Sequence, residues 1–211
     1  MPSVLITGGT GLVGTAVKTL LEAKGYEVIL VSRSKMSVKG QAHWDIDAGT
    51  IDSSAIAAAD YIIHLAGAGV ADKRWSTARK QEILDSRTKS SALLVKALQE
   101  TPNKVKAVIS ASAIGWYGPD KNNEDGNNIA AQGFVETDLS YPDFLGTTCA
   151  AWEASIAPVT SPGLQKRLVC LRTGIVLSKN GGALKEFLKP LAVRMAAVLG
   201  NGKQMISWID V

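Results

Sequence analysis

Apolar residues follow two rhythms along this chain. Short, nearly unbroken apolar runs occur at Val4–Ile6, Val28–Val31, Asp60–Leu65, Val105–Ser110 and Arg167–Arg172, with a weaker one at Gln41–Asp45. Between the first two, Leu12–Lys24 carries apolar residues at 12, 13, 16, 17, 20 and 21, the spacing of one helix face, and Gly25 stops it. Arg74–Glu100 reads as a long helix closed by Pro102, and Asp143–Ala157 as a helix ended before Pro158. Continuous apolar strands alternating with helices predict a parallel sheet covered on both faces, a Rossmann-type doubly wound α/β fold. The stretch Gly118–Ser140 is polar and Asn-rich, long enough to be a functional or mobile loop.

The first strand runs into Thr7-Gly8-Gly9-Thr10-Gly11-Leu12-Val13-Gly14, and the first helix opens there. A glycine is needed at the tight turn, a second where backbone approaches a pyrophosphate, and a third where helix packs closely on strand. N–H groups at the helix start then face the anion. Gly8, Thr10, Gly11, Leu12, Val13 and Gly14 are therefore the expected dinucleotide cradle. The second strand ends in Ser32-Arg33, with Arg33 19 positions beyond Gly14 and Lys35 nearby. An acid about 20 residues on binds the ribose hydroxyls of NAD, whereas an Arg accommodates a 2′-phosphate. Ser32 and Arg33 thus select NADP(H); the alternative is an exposed loop cation.

Composition narrows the classes. With 211 residues, 46% hydrophobic and 20% charged, the chain is of ordinary globular make-up. Its net charge of +4 is scattered, without the basic run of a nucleic-acid arm. Cys149 and Cys170 are the two cysteines and have no metal-ligand spacing, so no metal is expected. The N-terminus enters a strand without a basic leader, and Leu184–Leu199 is interrupted by charges and Pro190, so no membrane span is expected. A reduced, cytoplasmic protein is the expectation.

The strings TGGTGLVG, HLAG and ISASAIGWYG resemble an extended short-chain dehydrogenase/reductase. The pattern RW…RK..I..SR from Arg74 to Arg87, with CAAWE, LRTGIVLSKNGGAL and SWI, resembles the atypical sugar-nucleotide-epimerase-like family within it. That resemblance implies that Leu65, Ala66 and Gly67 lie along the cofactor, and that Ser112 matches the Ser/Thr that hydrogen-bonds the reacting carbonyl or hydroxyl. It implies cofactor contacts for Glu82 and Arg87, which a solvated helix face would equally explain. Asp45 is a contact for the adenine end or an ordinary strand-end acid. The superfamily's Tyr and the Lys four residues later fall on Leu145 and Cys149, neither of which can do acid–base work of that kind. Tyr117 is the remaining proton donor or a pocket wall; Cys149 is a thiol near the nicotinamide or a packed side chain; His43 and His64 complete the candidates, with His64 expected in the core.

The resulting expectation is an NADP(H)-binding domain over 1–175 and the incomplete start of a substrate-binding part over 176–211. The reaction expected is NADP(H)-dependent oxidoreductase or epimerase-like chemistry on a small molecule, a sugar nucleotide or carbonyl compound. The alternative is a non-catalytic NADP(H)-binding or sensing protein. No nucleic-acid partner is expected. The apolar run Ser207–Val211 reads as a chain interrupted within a domain, Asp210 standing where the resembling family often has His. Apolar surface along Leu184–Leu199 would then favour a homo-oligomer.

Overall fold

Residues 1–34, 40–119, 133–190, 202 and 205–211 are described by a computed structural model. Strand β1 (Ser3–Thr7) leads into helix α1 (Leu12–Ala23), followed by β2 (Glu27–Ser32), β3 (Gln41–Asp45), β4 (Thr50–Ile51) and α2 (Ser53–Ala58). Then come β5 (Tyr61–His64), α3 (Thr77–Glu100), β6 (Ala107–Ala113), α4 (Phe144–Ile156) and β7 (Arg167–Thr173). The described chain closes with β8 (Ile175–Ser178), β9 (Gly181–Gly182), α5 (Ala183–Leu188) and β10 (Trp208–Asp210).

Seven strands form one sheet in the order β4-β3-β2-β1-β5-β6-β7. Parallel registers such as Leu5↔Ile29 and Leu5↔Ile62 put β1 at its centre, and all five β1 residues are buried. Its companion on one side, β2, is the next strand, reached through α1; its companion on the other side, β5, arrives after β4 and α2. The strand order reverses between β1 and β5, which is where an open α/β sheet leaves a crevice for ligands. The fold is the Rossmann-type, mostly parallel sheet that the apolar runs predict, with the two-residue edge strand β4 antiparallel to β3.

The chain divides into two compact units, 1–112 with 150–171, and 113–149 with 172–211. These units interleave along the chain. The second unit holds a small sheet of order β10-β8-β9. The first holds the core, in which Leu5, Ile62 and Val108 from three adjacent strands meet Leu94 and Leu98 of α3, Ile56 of α2 and Ile156 of α4. Each is 2% exposed or less, and burying such a side chain contributes roughly 1.5–3 kcal/mol.

Two helices, α3 and α4, start at a side chain that accepts a first-turn N–H. Ser76 accepts the Arg79 N–H at 3.2 Å before α3, and Asp143 accepts the Gly146 N–H at 2.7 Å before α4. Five short elements, β4, α2, β8, β9 and α5, have no counterpart in the predicted pattern. The two-residue strands and the Ser-Ser-Ala-Ile-Ala-Ala of α2 are too short to show a period.

Asp60 locks the edge of the sheet where β1 and β5 begin. Its carboxylate accepts the Ser3 backbone N–H at 2.9 Å and Lys104 Nζ at 3.1 Å. Those two donors, the Ser3 amide foremost, hold its pKa at about 2 against an ordinary 3.8. A carboxylate stabilised in the fold contributes fully above its ordinary pKa, and the contribution disappears as pH falls through the folded value. Asp60→Asn should therefore lower the melting temperature at pH 7 and lose less stability than wild type between pH 4 and 2. Parallel acid and thermal melts measure this; identical curves would show that Asp60 does not tie the two strands.

Candidate functional site

At the end of β1 the chain turns at Gly8, whose φ of 71° is disfavoured for a residue with a Cβ. A Cβ there would lie 2.8 Å from the Leu65 carbonyl carbon and oxygen. Gly11 N–H closes the turn on Gly8 O at 3.0 Å, and Gly11 then stands as the N-cap of α1. Having no side chain, the cap covers none of the N–H groups of the first turn, and no acid occurs in that turn. Leu12 and Val13 thus open the helix with donors suited to an anion. A Cβ on Gly14 would overlap the Gly8 carbonyl oxygen and come within 2.6 Å of Gly9 Cα. Gly14 is what lets the helix approach the loop. Thr10 lies exposed at the loop's tip.

Across from this cradle, β2 ends in half-buried Ser32 and exposed Arg33. Ser32 Oγ accepts the Ser34 N–H at 3.0 Å, which leaves its own proton uncommitted by that bond. Lys35 lies outside the described residues. His43 pairs in register with Ser32, and its buried Nδ1 has no hydrogen-bond partner among the described residues. Asp45 is occupied locally: its Oδ1 accepts the Asp47 and Ala48 N–H groups at 3.1 and 2.9 Å, shaping the turn into β4.

The segment after β5, Leu65-Ala66-Gly67, is held from α3. Arg87 donates from Nη1 to Ala68 O and to Ile83 O, both at 3.0 Å, and lies beside Gly67, where a Cβ would stand 3.2 Å from its guanidinium carbon. Ser86 Oγ accepts the Ala68 N–H at 2.9 Å. The same guanidinium lies 4.9 Å from the centre of the Trp152 ring. Arg79 is buried at 6% exposure; it donates to Gly69 O at 2.5 Å and pairs with Glu82 at 2.6 Å. Glu82 is accordingly a surface partner of Arg79, and that guanidinium holds its carboxyl below the usual range.

His64 closes this network from inside. It is fully buried; Nδ1 lies 2.7 Å from Thr7 Oγ1, and Nε2 lies 3.1 Å from Ser91 Oγ and 3.3 Å from Ser90 Oγ. Ser90 spends its own proton on helix carbonyls, so it serves His64 as an acceptor. The Ala66 N–H donates to Thr7 Oγ1 at 3.3 Å. One imidazole thereby joins the residue before the glycine turn to the helix that supports the opposite wall.

At the carboxyl end of β6, Ser112 is 3% exposed and donates its hydroxyl to Glu153 Oε1 of α4 at 2.6 Å. In the second unit, the Tyr117 ring stacks on Phe134 with centroids 4.9 Å apart, and Arg172 donates to the Tyr117 hydroxyl oxygen at 3.2 Å. Arg172 also lies 3.6 Å from the Trp116 ring centre. Cys149 is buried, its thiol 3.7 Å from Ala113 O. Glu153, Ser90, Ser91 and Arg79 were not singled out from the sequence. The signal for the α3 residues was there: positions 79, 83, 86, 87, 90, 91 and 94 recur at helical spacing.

A polar cleft between Leu98–Asn103 and Ser161–Lys166 lies where the chain enters β6 and β7. It is at the amino edge of those strands, away from the edge where such sheets bind ligands. Among the described residues no group of acids, His and Cys could hold a metal, and no helix is long and apolar enough to cross a membrane.

Residues 4–140 match the NAD dependent epimerase/dehydratase family, and the chain belongs to it. Its relatives place it among the atypical short-chain dehydrogenase/reductases. An epimerase family protein of Mycobacterium bovis is 34% identical over 99% of this chain, which spans 65% of that relative's length. The human epimerase family protein SDR39U1, in a crystal structure with NADPH, superposes with a TM-score of 0.81 at 31% identity, covering 99% of this chain and 65% of the other. A nucleoside-diphosphate sugar epimerase from Corynebacterium glutamicum gives 0.80 at 32% identity, covering 100% of this chain and 41% of the other.

Burial pushes the His64 pKa down to about 4 from 6.5, so the ring is neutral at neutral pH. Because unfolding frees it to bind a proton, its contribution to stability is full above pH 6.5 and is lost as pH falls toward 4. Substituting His64→Gln should lower stability at pH 7.5 yet remove part of the decline between pH 6.5 and 4. Urea titrations across that range measure the difference; a variant with the wild-type pH slope would place the titration elsewhere.

Proposed function

We propose that this chain binds NADP(H) through the Gly8–Gly14 cradle, and that Ser112 meets the reacting oxygen of a small carbonyl compound or sugar nucleotide. What carries the reading is the cradle itself: a turn and helix start without side chains, placed where the strand order reverses and where a Cβ on Gly8 or Gly14 would fill the approach. Gly8, Gly11 and the first-turn amides of Leu12 and Val13 would hold the pyrophosphate, with Thr10 at the loop tip. Ser32 and Arg33 would take the 2′-phosphate, and Leu65, Ala66 and Gly67 would line the crevice with Arg87 as the nearby cation. Asp45 and Glu82 have local partners and are the weakest cofactor contacts of the set. The bound cofactor would supply or accept the hydride. The NADPH bound by the human relative supports the same cofactor here.

The domain reading that goes with this assigns cofactor binding to 1–175 and part of a substrate site to 176–211. Tyr117 stays the proton-donor candidate of the second unit, since the Arg172 bond engages its oxygen and leaves the phenol proton to another acceptor. A second reading, cofactor binding without turnover, is favoured by Leu145 and Cys149 at the positions of the usual Tyr and Lys. NADPH-linked assays on a panel of carbonyl compounds and sugar nucleotides separate the two.

NADPH should bind more tightly than NADH by about ten- to a hundredfold, the worth of charge-assisted hydrogen bonds to the phosphate. Fluorescence titration of both cofactors against wild type and Arg33→Ala should show the preference shrink in the variant with NADH affinity unchanged. Equal affinities in wild type would remove the 2′-phosphate assignment.

A further inference from the structure

The geometry points to Glu153 as the proton-holding group of the site, working through Ser112. This rests on the oxidoreductase reading above and adds the group that the missing Tyr–Lys pair would otherwise supply. A serine hydroxyl has one proton and two lone pairs. Here that proton is directed to Glu153 Oε1 at 2.6 Å, a distance typical of a hydroxyl bound to a carboxylate. With Glu153 ionised, Ser112 can only accept from a ligand, so the pair is arranged to receive a substrate hydroxyl. To donate toward a carbonyl, Ser112 needs its proton back, and the group able to return one is the Glu153 carboxylic acid.

The two directions balance. In oxidation, a substrate O–H gives its proton to Ser112 Oγ, Ser112 passes its own to Glu153, and the carbon loses a hydride to the oxidised nicotinamide cofactor. In reduction, the hydride comes from NADPH to the carbonyl carbon, Ser112 protonates the oxygen, and protonated Glu153 replenishes Ser112. Glu153 lies one helical turn beyond Cys149, the position matching the absent Lys, so α4 still brings an ionisable group to this edge of the sheet. Ser112 is almost fully buried and Glu153 half-buried, so the hydroxyl end of the pair is the part withdrawn from water. Glu153 is a positioning and proton-holding residue; of this pair, Ser112 is the one that touches the substrate.

The test compares wild type with Glu153→Gln, Ser112→Ala, Ser112→Thr and the Glu153→Gln/Ser112→Ala double variant. NADPH affinity and melting temperature read whether the fold and cradle survive, and affinity should stay within about twofold because neither residue belongs to the cradle. The ¹³C resonance of the Glu153 carboxyl, assigned by its loss in Glu153→Gln, should move in Ser112→Ala and keep its position in Ser112→Thr. In turnover on the carbonyl panel, each of Glu153→Gln and Ser112→Ala should lose on the order of a hundredfold in kcat, the scale of general acid–base catalysis, with KM little changed. The double variant should be no worse than either single one, as expected of residues acting as a unit. Ser112→Thr should retain most activity. Wild-type turnover that persists in Glu153→Gln overturns the relay alone. A Glu153 resonance unmoved in Ser112→Ala overturns the pairing, whatever the assays show. No turnover by wild type on any substrate overturns the oxidoreductase reading and the relay's catalytic use with it.

Discussion

The contact on which this architecture turns is the approach of Gly14 to the Gly8–Gly9 backbone. Any Cβ at 14 would press into the Gly8 carbonyl oxygen, and any at 8 into the Leu65–Ala66 peptide. With both positions bare, α1 can start directly behind β1 and aim its first N–H groups out of the sheet. The central position of β1 follows from its own burial on both faces and from its pairing with β2 and β5. The open approach to the turn is therefore a consequence of strand order and two missing side chains, with its walls supplied by other elements.

Those walls come mainly from α3. One stripe of that helix gives up apolar burial for Arg79, Ser86, Arg87, Ser90 and Ser91, and each of these meets the chain after β5 or the imidazole of His64. A buried Arg and a buried His are costly unless they are paired. Here they are paired across elements that must stay in register, which turns that cost into a fixed position for Leu65–Ala68. Neutral His64 also keeps positive charge out of the core while bridging Thr7 to the helix.

Much of this was legible in the sequence because it depends on local pattern. Apolar runs fixed the central strands, the helical stripe of Leu12–Leu21 fixed α1, and glycine spacing marked the cradle within a strand-turn-helix context. What could not be read depends on pairing at long range. The register that brings Thr7 beside His64 spans 57 positions, and the bond from Ser112 to Glu153 spans 41. Glu153 sat in a string valued for its family resemblance, and nothing local distinguished it from a solvated helix acid. Glu82 and Asp45 were singled out by resemblance and by a strand-end position, and the carboxylate of each has a partner within three residues that only the fold shows.

The central claim, that the glycine turn and the wall opposite it hold the dinucleotide, is tested most directly by amide hydrogen exchange with and without saturating NADPH. The account predicts slowed exchange concentrated in residues 8–14, with a second protected segment at 65–68 and little change elsewhere in the first unit. Protection centred on the cleft formed by 98–103 and 161–166, with the glycine turn exchanging as before, would contradict it.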